Sequence, residues 1–231
     1  MRYIYGPVNS RRLGLSLGVS LTPHKICSFN CVYCQLGRTS ELTLERREYI
    51  PIQEIIAELH SWLIHNSDQA KGLNYISLSG SGEPTLNINI GELIAEIKKM
   101  TTVPIAVITN ASLLHLPEVR KGLLKADLVV PSLDALTPGI LQKIDRPAPG
   151  IKIEEITQGL LDFKREFRGQ LWLEIMVVKG LNDGLEEMRR LKEVIARLNP
   201  DKIQLNSPVR TTAEPDVEAV EKNKLKKSKR S

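Results

Sequence analysis

The sequence predicts an α/β protein folded as a partial (β/α)6 TIM-like barrel, open on one side. Three observations carry this. Short β-rich runs alternate with helix-periodic segments along the chain, which implies parallel strands joined by helical crossovers. Six such runs can be counted. Length supplies the third: an eight-unit barrel takes about 250 residues, roughly 31 per unit, so a short lead and a polar tail set aside leave room for roughly six units in 231 residues.

The strands are expected over 15–21, 74–79, 104–109, 128–133, 171–178 and 202–206. Each is a run of aliphatic and β-branched residues ending in glycine or polar residues. Helices are expected over 52–66, 90–100, 117–126, 153–167 and 185–198, with a shorter helical turn at 138–144. At 42% hydrophobic residues the chain can fill one sizeable core. No apolar run reaches the roughly 18 residues of a membrane span. A single domain over 1–212 is expected, followed by a basic, disordered tail over 213–231.

That tail decides how the charge is read. The formal net charge is +5 and the isoelectric point is near 9.1, values that resemble a nucleic-acid footprint. Six positive charges and no acid fall within 222–231; without them 26 basic residues face 27 acidic ones. The barrel itself is therefore near neutral. With three Phe and five Tyr there is no aromatic stacking platform along a basic strip.

In parallel β/α architectures the working groups sit on loops at the C-terminal ends of strands. After the first predicted strand comes Lys25-Ile26-Cys27-Ser28-Phe29-Asn30-Cys31-Val32-Tyr33-Cys34, which holds all three cysteines of the chain. Three thiolates at this spacing can hold three corners of a cubane iron–sulfur cluster and leave the fourth iron open to a small molecule. A structural zinc site would need a fourth ligand from a second knuckle or a histidine pair. His24 is too close to Cys27 for that, and His60, His65 and His115 form no cysteine-flanked pair. An electron carrier would normally bring a fourth cysteine. Disulfides conflict with the odd count and with an N-terminus, Met1 to Pro7, that lacks an apolar signal region. A Ser- and Asn-containing loop is also a poor place to bury unliganded sulfur. A reducing cytoplasm is the expected compartment.

The cysteine run, with Tyr33 before its last member, resembles the signature of the radical S-adenosylmethionine (SAM) superfamily. The resemblance implies a [4Fe-4S] cluster on Cys27, Cys31 and Cys34, and SAM bound through its amino and carboxylate groups at the open iron. One electron then cleaves SAM to a 5′-deoxyadenosyl radical that abstracts hydrogen from a substrate. It also implies the six-unit open barrel, with the cluster loop after the first strand.

The later strand ends follow the same order. Ser79-Gly80-Ser81-Gly82-Glu83-Pro84-Thr85 resembles the Gly-Gly-Glu element whose backbone meets the SAM amino group, with Ser81 at the first glycine position. Glycine there allows close backbone approach to a ligand. The resemblance adds Tyr33, Ser81, Gly82, Glu83, Thr109, Asn110, Ser132, Asp134 and Asn182 as candidates for the SAM pocket. Asp183 is read as the N-cap of the next helix. Arg11 and Arg12 can bind a phosphate or carboxylate, or pair with acidic side chains. Asp145-Arg146 is read as a surface ion pair near the substrate opening.

The lead Gly6 to Gly14, together with Cys34 to Thr39, is similar to a group of stand-alone radical SAM oxidoreductases placed near the wyosine tRNA-base synthases. With no further cysteine, activities needing a second cluster are excluded. An external electron donor of the flavodoxin or ferredoxin type is expected, acting on a monomer that needs no membrane. The substrate stays open among a small molecule, a protein and RNA. A tRNA-base-modifying enzyme and a non-catalytic iron–sulfur electron-transfer or binding protein are the alternatives.

Overall fold

A computed structural model describes residues 1–10 and 12–221. In chain order the strands are β1 (Ile4–Ser10), β2 (Gly14–Val19), β3 (Ile26–Cys27), β4 (Glu41–Leu42), β5 (Tyr75–Leu78), β6 (Ile105–Thr109), β7 (Leu128–Pro131), β8 (Gln170–Met176) and β9 (Lys202–Asn206). The helices are α1 (Ile52–His65), α2 (Ser67–Lys71), α3 (Ile90–Met100), α4 (Pro117–Leu123), α5 (Pro138–Ile144), α6 (Ile153–Glu166) and α7 (Leu185–Leu198). Among the described residues seven strands form one curled sheet in the order β1-β2-β5-β6-β7-β8-β9, a half-barrel. Strands β2 to β9 of this sheet run parallel, and β1 adds an antiparallel edge.

Side chains alternate across a strand, so each parallel strand divides its residues between the helix layer and the barrel interior. Leu17, Ile76, Val107, Val129 and Leu173 lie on the convex face, in one core with Leu59 of α1, Ile94 of α3, Phe163 of α6 and Leu191 of α7. On the concave face Ala106, Leu128 and Val130 form a second cluster with Tyr75, Ile108 and Trp172. Leu13, from the β1–β2 turn, joins that cluster and plugs the N-terminal mouth. Helices α3 and α4 approach through glycine: a Cβ at Gly91 would come within 2.8 Å of the Gly122 Cα.

A repeated device closes the N-terminal ends of the strands. The residue before β5, Asn74, accepts from Leu15 N–H at 2.8 Å. Asp127 before β7 accepts from Ile105 N–H at 2.8 Å, and Asp201 before β9 accepts from Leu171 N–H at 2.8 Å. Each carboxylate or amide thus satisfies the first free donor of a neighbouring strand.

The six expected strands and five long helices are all present, with ends shifted by a few residues. Strands β1, β3 and β4 and helix α2 lie outside the elements expected from sequence. Residues 213–221, assigned from sequence to the tail, pack on the barrel: Val220 is buried and Ala219 bridges Val178. The remaining tail, 222–231, lies outside the described residues. No helix among those described is long and apolar enough to cross a membrane.

Two stability predictions follow from this packing. Ile76→Ala, on a strand covered on both edges, is expected to cost about 2–5 kcal/mol, measured by denaturant unfolding. Asp201 is held below the usual carboxylate range by the Leu171 N–H and then by Lys164. Its contribution is therefore present above the unfolded-state value near 4 and fades as pH falls through the lowered folded value. Asp201→Ala should be less stable than the parent at neutral pH by about 0.5–1.5 kcal/mol, with the gap narrowing in acid.

Candidate functional site

The cysteine loop leaves β2, the first parallel strand, and is built into the barrel rim by backbone hydrogen bonds. On one side Lys25 N–H donates to the Ser81 carbonyl and Glu83 N–H donates to the Ile26 carbonyl at 3.2 Å. On the other, residues 144–148 run beside it: Asn30 N–H reaches Asp145 O at 2.9 Å, Val32 N–H reaches Ile144 O at 2.9 Å, and Ala148 N–H reaches Ser28 O at 2.8 Å. Strand β3 further ties Cys27 to Leu42.

Gly82 marks the closest approach. A Cβ there would overlap the Ile26 carbonyl oxygen and press on Thr22. The glycine is thus required for packing the β5 loop onto the backbone that precedes Cys27. From the sequence alone, the closeness is expected to serve a ligand.

Beneath this contact lies the Glu83 carboxylate, almost fully buried. It accepts from Thr85 N–H at 3.0 Å, Thr85 Oγ1 at 2.6 Å, Thr109 Oγ1 at 2.6 Å and Asn110 N–H at 2.8 Å. Burial pushes its pKa up while these four donors pull against the rise. Asn110, held by that bond, turns its amide toward the cysteine loop, donating to Ser28 Oγ at 2.8 Å and to Cys27 Sγ at 3.6 Å. Thr109 spends its hydroxyl on Glu83, so it faces the structure and not the rim.

The three thiols have distinct surroundings. Burial, then the charge of Glu83, pushes Cys27 up to about 12, against the Phe29 N–H. Burial and Asp145 hold Cys31 well above the ordinary thiol value. Lys25, buried and in the left-handed region at φ 59°, donates its ammonium to Cys34 Sγ at 3.1 Å. Among the described residues no three His, Cys, Asp or Glu side chains converge on a single-ion site. The three cysteines lie on one loop and form an all-thiol donor set, the chemistry suited to iron–sulfur ligation.

Behind Cys31 sits a buried acidic pair. Tyr33 donates its hydroxyl to Asp134, with Asp145 Oδ1 3.4 Å away. Asp134 also accepts from Met176 N–H at 2.7 Å; burial raises it to about 6. Burial and the neighbouring Asp134 hold Asp145 well above its usual value. Asp145 is thus not half of a surface ion pair; Arg146 pairs with Glu214 instead, at 2.5 Å. Asn182 is fully buried, donating to Asp134 O at 2.7 Å and Met176 O at 2.8 Å, so its amide braces the β8 loop. Asp183 accepts from Gly180 N–H at 2.9 Å, and Gly184 takes the N-cap position of α7 expected for Asp183.

On the concave face Arg12 Nη1 meets Glu174 Oε2 at 2.5 Å, and Asn206 Nδ2 donates to Glu174 Oε1 at 2.6 Å. Arg12 thus pairs with an acidic side chain, while Arg11 lies outside the described residues. Ser132, half-buried on the same face, has no side-chain partner among the described residues. Gln204 Nε2 is the buried side-chain polar atom left without a partner among them, a donor that water or a ligand would satisfy. Lys25, Glu174 and Gln204 are not singled out by the sequence. For Lys25, its place two residues before the first cysteine was the available signal.

A parallel half-barrel whose first parallel strand delivers three cysteines to the C-terminal rim defines a cluster-bearing β/α-barrel protein. The chain belongs to the radical SAM superfamily, whose pattern matches residues 21–191. Proteins of this superfamily use a [4Fe-4S] cluster and SAM, and these are the cofactors that membership carries with it. The chain is 42% identical over 208 residues to UPF0026 protein slr1464 of Synechocystis sp., covering 90% of this chain and 76% of that relative. It is 41% identical over 227 residues to a Brachyspira hyodysenteriae protein named GTPase Obg, covering 98% of this chain but 33% of that relative. In fold it is similar to TYW1 with a lysine-pyruvate adduct bound, at a TM-score of 0.62 and 19% identity, over 92% of this chain and 71% of the other.

Glu83→Gln replaces an acceptor oxygen by an amide donor facing N–H or O–H groups. It should destabilise the fold by about 1–3 kcal/mol in thermal or denaturant unfolding, and Glu83→Ala by at least as much.

Proposed function

We propose that this chain is a SAM-cleaving radical enzyme that abstracts hydrogen from its substrate. Cys27, Cys31 and Cys34 are the ligands of the cluster. The observation that carries the reading is the docking of the cysteine loop onto the Ser79–Glu83 loop, which brings the cysteine loop and the glycine-rich loop together at the C-terminal rim. When bound, the cluster and SAM supply one-electron cleavage of a sulfonium to a carbon radical, with the electron coming from an external flavodoxin- or ferredoxin-type donor.

The chain's own residues hold and screen this site. Lys25 donates its ammonium hydrogen bond to Cys34 Sγ, and the Asn110 amide donates a longer one to Cys27 Sγ. Glu83 fixes Asn110, and Lys25 N–H fixes the carbonyl of Ser81; Ser81 and Gly82 are the part of the rim that would face the SAM amino group. Asn110 and Ser132 are the remaining polar rim candidates. Tyr33, Asp134 and Asn182 act by bracing the far side of the loop. The concave face, which carries Leu13 and the Arg12–Glu174–Asn206 network, is the face offered to substrate.

The test is anaerobic reconstitution, reduction with dithionite and addition of SAM, with 5′-deoxyadenosine as the product measured. Production above a no-protein control supports the assignment. A loaded, SAM-binding protein that yields none with any reductant would favour a binding or electron-transfer role. Cys27→Ala, Cys31→Ala and Cys34→Ala should each abolish stable four-iron content; full iron and cleavage in any of them would refute the ligand set. Gly82→Val should lower iron content as well as SAM binding, because its side chain collides with the backbone leading into Cys27.

A further inference from the structure

We propose that Glu214 is a positioning residue for the cysteine loop, the working end of a strap formed by residues 210–221. The strap lies beyond residues 21–191, the part matched by the superfamily pattern, so its contacts are additional to what membership implies. The proposal rests on the assignment of the cysteine loop as the cluster loop.

The strap is anchored at its far end. Ala219 forms an antiparallel bridge with Val178, Lys179 N–H donates to Glu218 O at 3.1 Å, and Val220 N–H donates to Ser207 Oγ at 2.8 Å, with Val220 buried. From there it reaches back over the cysteine loop. Glu214 N–H donates to Val32 O at 3.1 Å, between the second and third cysteines. The Glu214 carboxylate then spans two cations: Arg38 at 2.9 Å, four residues after Cys34, and Arg146 at 2.5 Å, next to Asp145. Thr212 Oγ1 donates to Glu214 O at 2.7 Å and holds the turn that presents it.

Both faces of the loop are therefore bonded. Residues 144–148 take the inner backbone groups and Glu214 takes the Val32 carbonyl left on the outer side. A surface ion pair alone contributes little. This carboxylate differs because its side chain is only 16% exposed, has two guanidinium partners and is fixed by a backbone bond from the same residue. Arg146 sits at φ 46°, a left-handed conformation that L-residues adopt when their surroundings hold it. The bond to Glu214 supplies such a hold. Glu214 lowers the freedom of residues 31–38 before any cofactor arrives and so presets the sulfur positions.

The experiment uses the full chain, comparing the parent with Glu214→Gln and with Arg38→Gln, which removes one arm of the bridge from the loop side. In cluster-free protein, amide hydrogen exchange over residues 27–40 should speed up on the order of tenfold in Glu214→Gln and less in Arg38→Gln, with exchange in α3 unchanged. In reconstituted protein, iron release to a chelator should accelerate in the same rank order. Unchanged exchange over 27–40, a uniform increase that includes α3, or faster exchange with unaltered iron release would each overturn the proposal. A parent protein that takes up no iron would instead refute the cluster assignment, while the exchange data still decide whether Glu214 holds the loop.

Discussion

The site depends on one buried carboxylate. Glu83 accepts four hydrogen bonds from two segments that are far apart in sequence, the turn after β5 and the end of β6. An ionised carboxylate placed in a core without donors would neutralise or expel itself. Four donors within 3.0 Å make burial tolerable and at the same time lock those donors in place. Through its own N–H the same residue fastens the Ile26 carbonyl, so the cysteine loop is positioned by the residue that shapes the glycine-rich turn. Removing the acceptor would release both segments at once.

An open half-barrel leaves two sheet edges, and the chain treats them differently. The β1–β2 hairpin protects one edge and sends Arg12 and Leu13 across the N-terminal mouth into the interior. Leu13 completes the apolar floor, and Arg12 converts Glu174, otherwise a buried unpaired charge, into the centre of a satisfied network with Asn206. Polar groups are thereby carried, paired, on the concave face. The convex face needs no such provision because five long helices cover it with aliphatic side chains.

The parallel strands and long helices were legible in sequence because parallel strands are buried on both faces and read as apolar runs, as Ile105-Ala106-Val107-Ile108 does. Strand β1, Ile4–Ser10, was not legible: its glycine, proline and serine give a weak strand signal, and it forms by pairing with β2. The site was legible in position more than in role. Asn110, Asp134 and Asn182 stand out as polar residues at strand ends, yet sequence cannot say whether such a residue faces a cofactor or a neighbouring peptide. Asn182 faces peptides, with both ends of its amide used inside the protein. Asp145 looked like a partner of Arg146 because they are adjacent. A left-handed turn at Arg146 sends the two side chains apart, one to Tyr33 and the other to Glu214.

Charge around the three sulfurs supports the cluster reading from a separate direction. Cys27 is near Glu83, Cys31 is near Asp145 and Asp134, and Lys25 at Cys34 is the cation in direct contact. Burial first, and these acids second, disfavour the thiolate form of Cys27 and Cys31. Cys34 has Lys25 beside it, but at Cys27 and Cys31 the pocket is poorly suited to a free nucleophilic cysteine, which needs an electropositive, accessible setting. It is well suited to an occupant with a positively charged core. Iron would take the place of the thiol protons and offset the acids, and the same acids disfavour ionised thiols without it. On the proposed ligand set, metal binding at Cys27 and Cys31 would have to displace protons that burial and the neighbouring acids hold on these thiols.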